Sequence, residues 1–219
     1  MKHDIRFLYG RAGSGKSTRI AEEIIRELSC GGRVLLLVPE QEAVMAERRV
    51  ADCISAQKEQ IPTVNLEILN FRRLANRVFR TFGGLSYRYI GEGARSLIMW
   101  QALVFAAPQL REYGNALSDM PRLIDLMLSA VKECKTYRIL PQRLMEAAAQ
   151  VAGEKPSLSA KLSDIGLIYA AYERLLKEEY DDPQDDLTRL DALLSEHDAF
   201  GGYSVYIDSL HGFTPQEFA

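Results

Sequence analysis

Residues near the N-terminus have the types and the spacing that suit them to holding phosphate groups. Gly10, Gly15, Lys16 and Ser17 fit the pattern G-x-x-x-x-G-K-[ST]. Glycines let backbone N–H groups point at a phosphate, and the start of the following helix adds the positive end of its dipole. The pattern predicts a site for ATP and Mg²⁺, in which the lysine reaches the phosphates and the serine ligates the metal. The residues assigned to it are Gly10, Arg11, Ala12, Gly13, Ser14, Gly15, Lys16, Ser17 and Thr18.

A loop of this kind needs a strand before it and a helix after it. Apolar and aromatic residues at 5–9 predict a short strand, and apolar residues at helical spacing over 20–28 predict the helix. The continuous apolar run Val34–Val38 is typical of a parallel strand that is buried on both faces. A helix over 40–53 and a third strand over 64–69 follow. The first 80 residues therefore predict an α/β parallel sheet.

A helix is predicted next, over 70–80, with a basic face. Arg73, Arg77 and Arg80 follow one another at intervals of four and three residues, so they share one side of this helix. From 93 to about 179 the pattern changes and predicts no strand. Helices are predicted over 94–106, 118–135, 141–152 and 158–179. We therefore expect a first part of the sheet domain at 1–92, a helical insertion at 93–180 and a return to the sheet at 181–219.

An apolar stretch that ends in an acid follows this return. Residues 203–207 predict a strand, and Asp208 comes directly after it. In sheets of P-loop proteins, an aspartate in this position holds Mg²⁺ beside the serine of the loop. We therefore predict Ser17 and Asp208 as the Mg²⁺ pair, although an ordinary edge strand that ends in aspartate stays open.

Composition restricts the remaining possibilities. The net charge is −3 and the pI about 5.7, so any contact with nucleic acid must be local. The three cysteines lie far apart and match no zinc spacing, which favours reduced thiols in a cytoplasmic protein. The N-terminus carries charges without the apolar region of a signal peptide, and no apolar run is long enough to span a membrane.

In order and spacing, these pieces resemble superfamily-one helicases of the UvrD and RecB kind. A closer resemblance is to the AddB (or RexB) subunits of AddAB-type ATP-dependent helicase-nucleases. It spans most of the chain, and every motif beyond the loop is weak by itself. The stretches that carry the resemblance are Tyr9–Ser17, Leu37–Gln41, Phe71–Val78, Asp186–Leu190 and Tyr206–Glu217.

The resemblance implies a RecA-like P-loop domain that contains a large helical insertion. It also implies a role in double-strand-break repair and recombination, with an AddA-type subunit as partner and single- and double-stranded DNA as ligand. In that family the domain acts as a scaffold and recognises the Chi sequence, while AddA supplies the motor. Candidate DNA contacts are Gln41, Phe71, Arg73, Arg77 and Arg80. A solvated helix face for the arginines and a core position for Phe71 stay open.

Two departures from the family pattern bear on mechanism. Active helicases have Asp-Glu at the end of the strand, whereas here Ser209 follows Asp208, and Gly212 stands where active relatives have a second acid. A serine cannot act as the general base at neutral pH, so weak or absent hydrolysis is expected.

The chain also stops at Ala219, and we expect it to be an N-terminal fragment. The second RecA-like domain and the nuclease domain with its iron–sulfur cluster would then lie beyond it.

Three other functions stay open at this point. A P-loop small-molecule kinase also uses the loop, although a helical insertion of about 90 residues is unusual for that class. An interaction scaffold could carry a vestigial loop that binds no nucleotide. An active helicase is the last alternative, and Ser209 argues against it.

Overall fold

The computed structural model describes residues 5–57, 61–86 and 88–218. The chain is α/β and divides into two compact units. Unit 1 comprises Met1–Gly83 and Leu193–Gly212, and unit 2 comprises Gly84–Ala192 and Phe213–Ala219. The helices are α1 (Lys16–Ser29), α2 (Ala43–Ser55), α3 (Phe71–Phe82), α4 (Glu92–Ala106), α5 (Met120–Thr136), α6 (Pro141–Val151), α7 (Pro156–Glu179), α8 (Asp186–Glu196) and α9 (Pro215–Phe218).

A small parallel sheet lies in unit 1. Its strands are β1 (Arg33–Leu37), β2 (Leu66–Leu69) and β3 (Tyr203–Ile207), in the order β2-β1-β3. Both pairings are parallel: Leu35 aligns with Glu67 on one side and with Val205 on the other. Residues 203–207, which the sequence predicts as a strand, therefore do pair with the central strand, whereas 181–192 and 213–219 of the predicted return belong to unit 2.

The core of unit 1 explains why these elements form. Val34–Leu37 are buried on both faces of β1, as the continuous apolar run predicts. The buried face of α1 consists of Ile20, Ala21, Ile24, Ile25 and Leu28. Two glycines then end α1, since Gly31 has a φ of 80° and its N–H bonds to the carbonyl of Leu28 at 3.0 Å.

The predicted strand at 5–9 does not form. Residues 5–10 have no regular secondary structure, and Ile5, Phe7 and Tyr9 are exposed; only Leu8 packs against the core of unit 1. A strand requires a neighbour to pair with its backbone groups. The described sheet contains only β2, β1 and β3, so local apolar character alone does not produce a strand here.

The other predicted elements differ from the structure mainly at their ends. Thr63–Asn65 form a 3₁₀ turn, so β2 starts at Leu66 and is shorter than predicted. Glu40–Glu42 form another 3₁₀ turn, and α2 starts after it. The four helices predicted between 94 and 179 correspond to α4, α5, α6 and α7.

Among the described residues, none of the helices is both long enough and apolar enough to cross a membrane.

Unit 2 has its own apolar core. Met99 and Leu103 of α4, Met127 of α5 and Ile168 and Tyr172 of α7 are each at most 1% exposed. These residues recur at helical spacing on their helices, which is why the sequence pattern predicts helices here.

A buried charge cluster connects three parts of unit 2. The side chain of Lys135, on α5, is 2% exposed, and its Nζ lies 2.7 Å from Glu173, 2.9 Å from Asp182 and 2.8 Å from Asp185. Asp182 also accepts a hydrogen bond from Arg95 at 3.1 Å. Burial by itself would lower the pKa of Lys135, but the charges of the three carboxylates outweigh it and raise that pKa. Lys135 therefore stays charged while buried.

We predict that Lys135→Met destabilises unit 2 strongly. The substitution keeps a long side chain but removes the cation that Glu173, Asp182 and Asp185 share, and breaking a buried ion pair costs about 3 kcal/mol or more. Lys132→Met is the matched control, since Lys132 is an exposed lysine one turn earlier on the same helix. It should change the free energy of unfolding by less than about 0.5 kcal/mol. Urea unfolding followed by circular dichroism measures both, and equal effects would contradict the prediction.

Candidate phosphate and metal site

The glycine-rich loop before α1 has a backbone conformation that favours glycine at two positions. Gly13 and Gly15 have φ angles of 75° and 83°, and a Cβ on either would meet nothing within 4 Å. The loop thus requires glycine for its backbone conformation and not for lack of space. The side chains of Ser17 and Thr18 follow in the first turn of α1, which contains no acidic residue. The dipole at this helix end is therefore not offset by an acidic side chain of α1 itself, and it favours an anion.

Lys16 is held by the loop itself. Its Nζ donates hydrogen bonds to the carbonyl oxygens of Gly10 and Arg11, both at 2.9 Å. These contacts keep the ammonium group over the loop, where a phosphate held by the loop N–H groups would meet it.

Ser17 and Asp208 lie together, as their predicted pairing requires. The Ser17 hydroxyl donates to Oδ1 of Asp208 at 3.0 Å, although the two residues are 191 positions apart. Ser17 is in the first turn of α1, and Asp208 follows the last residue of β3. A hydroxyl and a carboxylate are hard oxygen donors, which is the chemistry that Mg²⁺ prefers. These two side chains therefore fit a metal that is shared with a bound phosphate.

Arg49 is a further member of this cluster, and no sequence motif marks it. Its Nη1 lies 3.3 Å from Oδ2 of Asp208, and the two side chains are 30% and 10% exposed. Arg49 is on α2, 159 positions before its partner. No spacing rule relates the two positions, so only the folded sheet reveals the contact.

The residue after Asp208 has an unusual backbone. Ser209 has a φ of 61°, one of two positive values among the non-glycine residues that the structure describes. This left-handed region is costly for a residue with a Cβ. The position predicted to lack the general base is thus also a point of backbone strain.

The predicted DNA-contact residues are in different situations. Gln41 and Arg80 are exposed, and Arg73 lies 3.6 Å from Glu47 with its side chain 58% exposed. Phe71 is half-buried at the start of α3. Arg77 is instead held by Glu67 at 3.0 Å, and this hydrogen bond raises the pKa of Arg77 further. Of the three arginines on the predicted basic face, Arg77 is therefore committed to an ion pair within unit 1.

A separate metal centre made of protein ligands does not occur in the described parts of the chain. No group of three or more His, Cys, Asp or Glu side chains there is arranged to hold a metal ion. A metal at Ser17 and Asp208 would thus depend on further oxygens from a phosphate or from water.

The candidate site belongs to a parallel α/β unit. The loop and the start of α1 present donors for a phosphate, and Ser17 and Asp208 present oxygens for a metal at the same place. Comparison with known proteins shows the family of the chain. The family described as "ADDB, N-terminal" matches residues 7–219. The chain therefore belongs to the AddB N-terminal family.

Individual relatives agree with this assignment. Three relatives are named as B subunits of an "ATP-dependent helicase/deoxyribonuclease". The chain is 34% identical over 216 residues to the one from Caldanaerobacter subterraneus subsp. tengcongensis. It is 35% identical over 220 residues to the one from Desulforudis audaxviator, and 30% identical over 218 residues to the one from Clostridium tetani. Each match covers 98% of this chain but only 18% of the relative.

We predict that Ser209→Gly increases the stability of unit 1. Glycine adopts a φ of 61° without the steric penalty, although it also makes the unfolded chain more flexible, so the net gain is up to about 1 kcal/mol. Ser209→Ala is the matched control, because alanine keeps the Cβ and the strain. Chemical unfolding of both variants tests this, and a Gly variant less stable than the Ala variant would refute it.

Proposed function

We propose that unit 1 is a P-loop, RecA-like domain that binds ATP with Mg²⁺. The observation that carries the proposal is the 3.0 Å contact between Ser17 and Asp208, directly behind a loop that fits the phosphate-binding pattern. In this proposal the backbone N–H groups of residues 10–17 hold the phosphates, and Lys16 neutralises their charge. Ser17 and Asp208 hold the metal, which when bound neutralises the phosphate oxygens.

The same residues support binding better than turnover. A water that attacks the γ-phosphate needs a group to orient or deprotonate it. The serine at 209 has no such capacity at neutral pH. We therefore propose a domain that holds nucleotide with weak or absent hydrolysis and without motor activity of its own.

The wider role is proposed from the family. The relatives are named as B subunits of an "ATP-dependent helicase/deoxyribonuclease". We propose that this chain serves in such a subunit, with an AddA-type partner, in the cytoplasm. Its work would be DNA-end processing in double-strand-break repair and recombination, including recognition of Chi.

Contact with DNA is proposed for every member of the predicted set except Arg77. Arg73 and Arg80 of α3 and Gln41 present polar groups to solvent, and Phe71 at the start of α3 could stack on a base. Arg77 would position this surface through Glu67 without itself contacting phosphate.

A second function is favoured by one specific observation. The polar groups of the site already have partners within the chain: Lys16 bonds to carbonyl oxygens of the loop, and Asp208 bonds to Arg49 and Ser17. A vestigial loop that only stabilises an interaction scaffold would have this arrangement too. Titration with nucleotide distinguishes the two functions.

We predict that the chain binds Mg·ATP saturably and that Lys16→Ala weakens this binding at least about tenfold, since the loss of one charge-assisted contact is worth about 1.5–3 kcal/mol. Isothermal titration calorimetry measures both proteins. Lys177→Ala is the control, because Lys177 is a lysine of α7 whose side chain is 74% exposed. It should bind as the unchanged protein does. Absence of binding in the unchanged protein would overturn the nucleotide assignment and favour the scaffold.

We also predict salt-dependent binding of single-stranded DNA. Arg73→Gln and Arg80→Gln should each weaken it and lower the slope of log affinity against log salt by about 0.7, the value for one lost phosphate contact. Fluorescence anisotropy of a labelled oligonucleotide at several salt concentrations gives this slope. Arg143→Gln, which changes an exposed arginine of α6, is the control. Unchanged slopes in both α3 variants would exclude these arginines as phosphate contacts.

A further inference from the structure

We propose that Arg49 is a resident counter-cation of Asp208 and sets how strongly nucleotide binding depends on Mg²⁺. This inference rests on the proposed function, because it concerns the same nucleotide site. It adds a residue to that site that the loop motif does not contain, and it assigns a direction to the effect of that residue.

Both oxygens of the Asp208 carboxylate are already engaged. Oδ1 accepts from Ser17 at 3.0 Å, and Oδ2 lies 3.3 Å from Nη1 of Arg49. The Asp208 side chain is 10% exposed. A carboxylate so little exposed to water interacts more strongly with a nearby cation than a surface carboxylate does. The positive charge of Arg49 therefore neutralises the group that the metal would use.

Arg49 is suited to this role by its chemistry and its position. A guanidinium group stays protonated at every pH at which proteins fold, so its charge is permanent. The Arg49 side chain is 30% exposed, so it can leave Asp208 towards solvent when another cation arrives. Asp208 is the carboxylate that lies within ion-pair distance of Arg49. Glu47, on the same helix, pairs with Arg73.

The consequence is a competition between two cations for one carboxylate. Mg²⁺ that arrives with a nucleotide displaces Arg49 from Asp208 or binds beside a carboxylate that is already neutralised. In both cases part of the gain from the metal is offset. Without metal, Arg49 cancels the negative charge of Asp208, which would otherwise repel the phosphates, and Lys16 supplies its own positive charge. The site should therefore hold free nucleotide and Mg·nucleotide with similar affinity.

The test compares nucleotide affinity with and without metal in three proteins. A fluorescent ATP analogue is titrated in excess Mg²⁺ and, separately, in EDTA. The readout is the Kd in EDTA divided by the Kd in Mg²⁺, so a larger ratio means that binding depends more strongly on the metal. The unchanged chain should show a ratio within about threefold. Arg49→Gln removes the charge but keeps a polar side chain, and its ratio should rise up to about fivefold in favour of metal, as expected for one partly exposed ion pair. Arg48→Gln, the exposed neighbour on α2, should match the unchanged chain.

Further variants separate electrostatics from a purely structural tie between α2 and Asp208. Arg49→Lys retains the charge and should keep the ratio low, whereas a structural tie would be broken by both substitutions. If Arg49→Gln does not fold, Asp208→Asn provides the test. It leaves Arg49 without its carboxylate, so binding in EDTA should tighten several-fold, and weaker binding there would overturn the inference.

The results also distinguish this inference from the function on which it rests. Nucleotide binding with the same Kd ratio in the unchanged chain and in Arg49→Gln would overturn the role of Arg49 and leave the nucleotide site standing. Absence of binding in both buffers, in the unchanged chain, would overturn the nucleotide site and the role of Arg49 with it.

Discussion

The parallel pairing of β3 with β1 is the interaction on which the candidate site depends. Leu37 aligns with Ile207, and the ladder continues by one bond, since the N–H of Asp208 donates to the carbonyl of Leu37 at 3.0 Å. This bond fixes the backbone of Asp208 by the sheet and not by a loop, so its carboxylate has a defined position. Ser17 then meets it from α1, and Arg49 meets it from α2. Loss of this one strand pairing would separate Asp208 from both Ser17 and Arg49.

Periodicity predicts most of the fold because, for most elements, the spacing of apolar residues within the element itself shows which face is buried. The buried run of β1, the helical spacing of α1 and the four helices from α4 to α7 are all local patterns. The strand predicted at 5–9 did not form, because a strand depends on a neighbouring backbone that its own residues do not specify. The predicted start of β2 also lies too early in the sequence, because Thr63–Asn65 form a 3₁₀ turn and Leu66 is the first residue of the strand.

The candidate site could be predicted where a motif defines it, but not where residues distant in the sequence meet. The loop pattern predicts Lys16 and Ser17 as site residues, and the strand that ends in an acid predicts Asp208; the structure places Ser17 and Asp208 3.0 Å apart. The pairing of Arg49 with Asp208, and of Arg77 with Glu67, connects separate elements. Helical spacing shows that arginines share a face, but it does not show which carboxylate lies opposite that face.

The free side of β3 has a consequence for handling the protein in solution. As the last strand in the described sheet, β3 has an unpaired backbone edge, and its Val205 and Ile207 are 53% and 49% exposed. Proteins usually protect such edges with charges, prolines or covering segments, because bare edges pair with other chains. None of the five residues of β3 is charged or a proline. Concentrated samples of this chain are therefore expected to self-associate, and binding measurements on it belong at low concentration.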